Sequence, residues 1–226
     1  MTKQSGFTLV ELAIALMVIG LLIGGVLKGQ ELIENAKITR TVKDLKGFDT
    51  AIMIFRNTYN ALPGDIKRPS RIPNCSTSPC TLEGNGNGQI KYETGRHDER
   101  GPFWFHLYNS GLISSMSTDG TMSNVQYSPL NTFGGDFRLT YLSESAIMPG
   151  SAHRWSLGRS LSALDHVLTC NLIQRIDGKM DDGKPLTGDV TIYSDTNNAK
   201  DCYDEISLEY KASSSATIIF IRSSAT

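Results

Sequence analysis

The longest apolar stretch of this chain, Phe7 to Leu27, places the strongest constraint on what the chain can fold into. Its 21 residues include two clearly polar side chains, Thr8 and Glu11. As a helix rising about 1.5 Å per residue, the stretch spans roughly 30 Å, the thickness of the hydrocarbon core of a membrane. An unpaired carboxylate in lipid costs on the order of 2.5–3.5 kcal/mol. The stretch therefore predicts a membrane-spanning helix whose acidic side chain requires a partner.

The six residues before this stretch, MTKQSG, carry one basic side chain, Lys3. A cleavable secretory signal has a shorter apolar core, of about 7–15 residues, followed by a small-residue cleavage site. Here the apolar core is longer and no such site follows it, whereas Gly6 stands at its N-terminal junction. We therefore expect the apolar helix to be retained, with any processing at its N-terminal edge.

The helical pattern continues beyond the apolar stretch, because apolar side chains recur every three or four residues on one helical face. These positions are Ile38, Val42, Leu45, Phe48, Ile52, Phe55 and Tyr59. The charged residues expected on the other faces are Lys37, Arg40, Lys43, Asp44, Lys46 and Asp49. Pro63 and Gly64 are predicted to end the pattern, which gives one helix of about 50 residues.

The segment SGFTLVELAIALMVIGLL resembles the N-terminus of type IV pilins and type II secretion pseudopilins. In that family a short basic leader ends in Gly and is followed by Phe-Thr-Leu-(Val/Ile)-Glu-Leu, and the resemblance covers residues 1–59. It implies that a prepilin peptidase cuts between Gly6 and Phe7 and methylates Phe7 as the new N-terminus. It also implies that Glu11 neutralises the α-amino group of a neighbouring subunit in a filament core. Many fibre-forming pilins carry a proline near the membrane exit, and this chain has none before Pro63.

Physical chemistry also favours a carboxylate at this position. Glu11 lies one turn into the helix, near the positive end of the helix macrodipole. An ammonium group from another chain would offset the cost of burying the carboxylate in a medium of low dielectric constant. The alternative is a signal anchor whose glutamate lies in the lipid headgroup layer. Gly20 and Gly24 form a small-residue pair of the kind that permits close helix approach, a weaker indication of helix packing.

The resemblance implies four segments: a leader at 1–6, a transmembrane and filament-core helix at 7–28, its amphipathic continuation at 29–60 and a periplasmic globular domain at 61–226. The expected location is the inner membrane, crossed once, and then a filament. Expected partners are the prepilin peptidase, other pilin or pseudopilin subunits, the inner-membrane assembly platform and, before assembly, membrane lipid.

Two functions follow from this family. The first is a structural subunit of a type II secretion pseudopilus or a type IV pilus. The alternative is a minor pilin that presents a binding surface for DNA uptake, adhesion or a secreted substrate. The charge balance bears on the DNA option, because 22 Lys and Arg face 23 Asp and Glu, a net charge of −1. A strong nucleic-acid site requires a basic excess, so no nucleic-acid partner is expected.

The four cysteines lie in two different contexts. Cys75 and Cys80 flank a short loop that contains Pro79, whereas Cys170 and Cys202 are far apart in sequence. Zinc sites usually have paired short spacings, and the second pair lacks one. In an exported domain the simplest arrangement is two disulfides, Cys75–Cys80 and Cys170–Cys202. The alternative for Cys170 is a buried free thiol on a helix.

The remainder of the chain predicts an α+β domain, in which an antiparallel sheet lies on the second half of the long helix, as in type IV pilins. Short helices are expected at 101–113, from Pro102 to a stop at Gly111, and at Ser160–Ile176, ended by Gly178. Phe103, Trp104, Leu107 and Tyr108 are expected in the core or docked on the long helix, and the alternative is an aromatic ligand site. Strands are predicted at Phe137–Leu142, Val190–Tyr193, Ile206–Tyr210 and Ala216–Ile221.

Two segments carry oxygen ligands of the kind that calcium prefers. Glu83, Asn85, Asn87 and Gln89 match positions 1, 3, 5 and 7 of an EF-hand loop, but its twelfth position is Thr94 rather than Glu. The alternative, which we favour, is a Gly/Asn turn. A second acidic group, Asp177, Asp181 and Asp182, also has the composition of a solvated turn.

The sequence gives no reason to expect an enzyme. His97, His106, His153 and His166 lie in four unrelated contexts, and the chain has no H-E-x-x-H, G-x-S-x-G or phosphate-binding loop. Asp165 adjoins His166 in a predicted helix, where neighbouring side chains point about 100° apart and cannot form a dyad. No catalytic residue is therefore predicted.

Overall fold

The computed structural model describes residues 8–91, 98–116, 128–144, 150–158, 168–193, 202–204, 206–211 and 216–225. The chain divides into two compact units, Met1–Thr39 and Arg40–Thr226. The helices are α1 (Leu9–Tyr59), α2 (Arg100–Asn109) and α3 (Cys170–Met180), with one 3-10 turn at Pro69–Arg71. The strands are β1 (Asp136–Leu142), β2 (Ala152–Gly158), β3 (Leu168–Thr169), β4 (Val190–Tyr193) and β5 (Ala216–Arg222).

Helix α1 confirms the predicted helix of about 50 residues, since it runs over 51 residues. It ends at Tyr59 and is followed by Asn60, whose φ of 51° is the left-handed conformation common after a helix C-terminus. The Asn60 amide still donates to the Arg56 carbonyl at 2.8 Å, which closes the last turn. Pro63 follows, and it cannot continue a helix.

The sheet is antiparallel throughout. Strand β1 pairs with β2 along its whole length, and β2, β3 and β4 each pair with β5. The predicted strands at Phe137–Leu142, Val190–Tyr193 and Ala216–Ile221 are confirmed as β1, β4 and β5. Strand β2 was not predicted from the sequence, because its segment AHRWSLG mixes charged and polar residues with Trp155 and Leu157.

One face of this sheet packs against the part of α1 that belongs to the second unit. Phe48 of α1 places its ring centroid 5.0 Å from Trp104 of α2, 5.1 Å from Phe137 of β1 and 5.8 Å from Trp155 of β2. These edge-on and tilted arrangements are the favourable ones for aromatic rings. The predicted α+β, pilin-like arrangement of a long helix and an antiparallel sheet is therefore confirmed.

Helix α2 agrees with the predicted helix, and Gly111 adopts the left-handed φ of 74° just beyond it. Phe103, Trp104 and Leu107 are buried as predicted. Tyr108 is not buried and keeps 45% of its surface exposed.

The predicted helix at Ser160–Ile176 is confirmed from Cys170 to Ile176, but it was wrong at Leu168 and Thr169 and at its C-terminal end. Leu168 lies in β3, and α3 begins at Cys170 because the Thr169 hydroxyl accepts the Leu172 amide at 3.4 Å as an N-cap. Gly178 lies inside α3 rather than ending it. Residues 160–167 lie outside the described residues.

The predicted strand at Ile206–Tyr210 was also wrong. The Asp204 carboxylate accepts the amides of Ile206 and Ser207, both at 2.9 Å, and this folds the segment into a turn. Leu208 has a φ of 53°, which is incompatible with an extended strand. Tyr210 forms an isolated bridge to Tyr203.

Asp49 was predicted on a face of α1 other than the apolar one, and it is only 9% exposed. Its carboxylate accepts hydrogen bonds from the Trp155 indole and from the C-terminal residues Ser223 and Ser224. Partners from distant parts of the chain therefore bring this polar position of the helix into the core.

Candidate functional site

Glu11 and Thr8 form a capping box at the N-terminus of α1. One carboxylate oxygen of Glu11, Oε2, accepts both the Thr8 amide and the Thr8 hydroxyl at 2.9 Å. The Glu11 amide in turn donates to the Thr8 hydroxyl oxygen at 3.2 Å. This arrangement satisfies backbone donors that a helix N-terminus leaves unpaired. The predicted cleavage-site residues, Gly6 and Phe7, lie outside the described residues.

The second carboxylate oxygen of Glu11 has no hydrogen-bond partner among the described residues. Glu11 can therefore cap its own helix and still accept a donor from another molecule. The T-x-x-E spacing of a capping box is visible in the sequence, so this role of Thr8 is a feature that sequence reasoning missed despite a clear signal.

The first part of α1 is apolar on all sides and unburied. It is long and apolar enough to cross a membrane, with a mean hydropathy of 2.5 over its most apolar 18 residues, none of which is buried. Large side chains such as Leu9 and Leu21 are 86% and 76% exposed. A Cβ added at Gly20 or Gly24 would meet nothing within 4 Å. This surface needs lipid or neighbouring helices to remove it from water.

The loop that contains the predicted calcium ligands is organised by its own amides. Asn85 Oδ1 accepts the Asn87 amide and Asn87 Oδ1 accepts the Gln89 amide, both at 2.8 Å. These are consecutive Asx turns, in which each Asn side-chain oxygen accepts a backbone amide two residues farther along the loop. This geometry is that of the alternative, a Gly/Asn turn, and the cation site that includes Glu83 stays a prediction.

Two buried carboxylates outside that loop hold it in place, and neither was predicted. Asp65 accepts the amides of Gly86 and Gly88 at 2.5 and 2.7 Å. Glu99 accepts the Asn85 amide at 3.1 Å. Asp65 is 2% exposed and Glu99 is 4% exposed, so each offsets its desolvation by accepting backbone hydrogen bonds.

Both cysteine pairs are joined as disulfides, Cys75 to Cys80 and Cys170 to Cys202, with Cα–Cα distances of 5.4 and 5.2 Å. His106 lies within ligand distance of the first pair, but cysteines bonded to each other offer no thiolate to a metal.

The imidazole of His106 is a structural group. Its Nδ1 accepts the Gly64 amide at 2.8 Å, so the proton is on Nε2, which donates to the Cys80 carbonyl at 2.8 Å. Burial lowers the pKa of His106 to about 4, so the ring is neutral at physiological pH.

The acidic group at the C-terminus of α3 is also engaged locally. Asp177 accepts the Tyr210 hydroxyl at 2.7 Å and the Gly183 amide at 3.2 Å. Asp181 accepts the Asp189 amide, and Asp182 accepts the Lys184 amide at 2.9 Å. Burial raises the pKa of Asp177 to about 6. Three carboxylates within ligand distance of one another thus serve as acceptors for a turn.

Of the four histidines, His106 and His153 are described, whereas His97 and His166 lie outside the described residues. His153 Nε2 accepts the Ile90 amide at 3.0 Å, so this ring also supports the backbone. Within the part of the chain that the structure describes, neither histidine is paired with a nucleophile or a carboxylate.

Comparison with known proteins identifies one segment. Residues 1–27 match the family model of the prokaryotic N-terminal methylation motif, the prepilin-type signal of type IV pilins and pseudopilins. The motif marks structural subunits that a prepilin peptidase processes and that assemble with other pilin subunits. It thus supports a pilin-like subunit in general terms. No curated protein and no solved structure matches the chain.

Proposed function

We propose that this protein is a structural subunit of a type II secretion pseudopilus or a type IV pilus. The observation that carries the proposal is the capped N-terminus of α1, where Glu11 stands at the head of an apolar helix inside a prepilin methylation motif. The proposed segments are the leader at 1–6, the membrane and filament-core helix at 7–28, its continuation at 29–60 and a periplasmic domain at 61–226. The proposed location is the inner membrane and then a filament.

In this proposal the exposed apolar surface of α1 is covered by lipid at first and by neighbouring subunits later. Before assembly, lipid covers the residues from Leu9 to Leu27; after assembly, the same residues of neighbouring subunits cover them. Both states remove the same apolar area from water, so the hydrophobic effect gives little net preference for the filament. Specificity in assembly then comes from polar contacts, and Glu11 is the acidic group of this segment.

Glu11 would bind the α-amino group of a neighbouring subunit through the carboxylate oxygen that the capping box leaves open. Removal of the leader between Gly6 and Phe7 creates that amine. The charge pair offsets a desolvation cost that each charge would carry alone. Cleavage therefore both frees the donor and makes assembly possible. The proposed assembly platform and prepilin peptidase act on this segment.

The first test is the N-terminus of the protein isolated from cells that contain a prepilin peptidase. Mass spectrometry should show a chain that begins at Phe7 and carries one added methyl group. Gly6→Asp, which removes the small residue at the proposed cleavage junction, should leave the leader attached. An intact leader on the unmodified sequence would refute the proposal.

Two substitutions at Glu11 separate its charge from its capping role. Glu11→Gln keeps an oxygen that can accept the Thr8 amide, whereas Glu11→Ala removes both the cap and the charge. We expect both variants to insert in the membrane and neither to assemble. Glu31→Gln, which removes a carboxylate paired with Lys28 farther along α1, is the matched control and should assemble normally. Normal filaments from Glu11→Gln would contradict the charge pair.

The cellular phenotype distinguishes the two filaments and the alternative function. Deletion of the gene should block protein secretion if the subunit belongs to a secretion pseudopilus, and should abolish surface fibres if it belongs to a pilus. Intact fibres and secretion with lost adhesion or DNA uptake would instead identify a minor pilin that presents a binding surface.

A further inference from the structure

A cavity of about 450 Å³ opens in the second unit of the chain, beside the last turn of α1. Its walls come from α1, from the Gly/Asn loop and from the adjoining ends of β1 and β2. The loop is fixed to the strands, because the Tyr141 amide donates to the Ile90 carbonyl at 2.7 Å. A cavity of this volume lies within the range of small-ligand sites. A backbone hydrogen bond therefore holds this part of the cavity wall in place.

His153 of β2 is a buried donor that lines this cavity. The residue is 4% exposed, and its Nε2 accepts the Ile90 amide at 3.0 Å, which puts the ring proton on Nδ1. Nδ1 has no hydrogen-bond partner among the described residues, and it is not among their buried unpaired atoms. Its N–H therefore remains accessible from the cavity, where it can donate to a ligand.

Arg56 of α1 places a positive charge at this cavity. Its side chain lines the cavity, is exposed, and forms no ion pair with any described residue. The guanidinium lies close enough to His153 that, after burial, its charge is the second cause that lowers the pKa of His153 to about 4. The imidazole is thus neutral at pH 7, and the two groups act together as donors without a second cation to repel the first.

Tyr141 of β1 adds a third polar group. Its ring centroid lies 5.3 Å from that of His153, and its hydroxyl makes no hydrogen bond with the described residues. The acidic wall residue, Asp65, differs in this respect, because both its oxygens already accept the amides of Gly86 and Gly88. These bonds orient the Asp65 oxygens toward the loop and partly neutralise their charge. The groups left open are therefore mainly donors.

We propose that this cavity binds a carboxylate, with Arg56 as its counter-charge and with Tyr141 and His153 as hydrogen-bond donors. A planar guanidinium binds a carboxylate through two parallel N–H···O bonds, and the hydroxyl and imidazole donors complete the shell of one carboxylate group. The volume accommodates either a small organic acid or the free carboxyl end of a peptide chain. The site is separate from the helix segment that carries the proposed assembly function.

The test is calorimetric titration of the full chain in a nonionic detergent. The probes are succinate, an acetylated trialanine peptide with a free carboxyl terminus, and the same peptide with an amidated terminus. Binding of succinate would identify a small-acid site, and binding of the free peptide but not of succinate would identify a chain-end site. The proposal is overturned if neither acid binds at millimolar concentration, or if the amidated peptide binds as well as the free one.

Variants assign the binding to this cavity. Arg56→Gln should weaken binding about tenfold or more, the effect of losing one charged contact. Tyr141→Phe should weaken it severalfold and Arg40→Gln, which removes an exposed arginine elsewhere on α1, should leave it unchanged. An unfolding transition like that of the parent protein checks that each variant is folded. Equal losses for Arg56→Gln and Arg40→Gln would show non-specific charge attraction and would overturn the assignment.

Discussion

The Trp155 indole donates a hydrogen bond to Asp49 Oδ1 at 2.9 Å, joining strand β2 to a helix residue 106 positions earlier in the chain. The same carboxylate accepts the Ser223 hydroxyl at 2.6 Å. Its other oxygen accepts the amide and the hydroxyl of Ser224 at 3.0 and 2.8 Å. One buried carboxylate thus joins the amphipathic part of α1, the centre of the sheet and the C-terminal end of the chain.

We expect Asp49→Asn to destabilise the protein by about 3 kcal/mol, because an amide leaves some of these buried donors without an acceptor. The free energy of unfolding can be measured by urea titration of the full chain in detergent, followed by tryptophan fluorescence. Asp44→Asn is the matched control on the same helix, where the carboxylate pairs with exposed Arg40, and it should change stability by less than about 0.5 kcal/mol. Equal effects of the two variants would show that the network contributes nothing beyond a surface charge.

The Asp49 network also shows what the sequence can and cannot predict. Helix α1 and strands β1, β4 and β5 follow from local periodicity and β-branched composition, which are properties of short windows. Asp49 occupies a polar position of its helix, and only Trp155 and Ser223, which are distant in sequence, make that position buried. Local pattern cannot reveal such partners.

The loop that resembles a calcium site also depends on partners that local sequence does not reveal. The spacing of Asn85 and Asn87 is equally compatible with metal ligands and with Asx turns. The choice depends on Asp65 and Glu99, which lie before and after the loop in sequence and hold its amides. The capping box at Thr8 is the opposite case, because its four-residue signal was present in the sequence.

We expect EGTA to leave the thermal unfolding midpoint unchanged, because the oxygens of Asn85 and Asn87 accept backbone amides that hold the loop as a turn. The measurement is a pair of melting curves for the full chain, with added calcium and with EGTA. A midpoint that rises with calcium would restore the calcium-site hypothesis for this loop. In that event Asn87→Ala should abolish the rise.

The two disulfides should contribute unequally to stability. Cys170–Cys202 closes a loop of 32 residues and Cys75–Cys80 closes one of 5. In the chain-entropy model these loops correspond to about 3.7 and about 2 kcal/mol at 25 °C. Paired serine substitutions of each bridge, compared by urea titration under oxidising conditions, should therefore show the larger loss for Cys170–Cys202. Similar losses would indicate that native packing around the bridges outweighs loop entropy.

Gly64 should tolerate no side chain. Its φ of 85° disfavours any other residue, and an added Cβ would collide with the Glu99 carbonyl. Gly111 has a similar φ of 74° but no atom within 4 Å of an added Cβ, so it isolates the backbone cost. We expect Gly111→Ala to cost about 1 kcal/mol and Gly64→Ala to cost clearly more. The urea midpoints of the two variants give the comparison, and equal midpoints would exclude the steric effect.

Stability should fall as the pH is lowered from 7 to 5, because burial holds the pKa values of His106 and His153 at about 4 in the folded protein. In the unfolded chain both have a pKa near 6.5, so below that pH the unfolded state binds more protons. Each histidine then removes about 1.4 kcal/mol of stability per pH unit. Asp177 acts in the opposite direction. The pKa of Asp177 is about 6 in the folded protein and lower in the unfolded chain. Its contribution to stability therefore grows as the pH falls below about 6.

We expect the protein to lose stability overall as the pH falls, because the two histidines remove more stability than the one aspartate adds. Urea titrations at several pH values measure the slope directly. His153→Gln should flatten the slope by removing one titrating group, and Asp177→Asn should steepen it by removing the opposing one. A slope that neither substitution alters would mean that other groups control the acid sensitivity of the fold, and that the buried histidines gain no proton on unfolding.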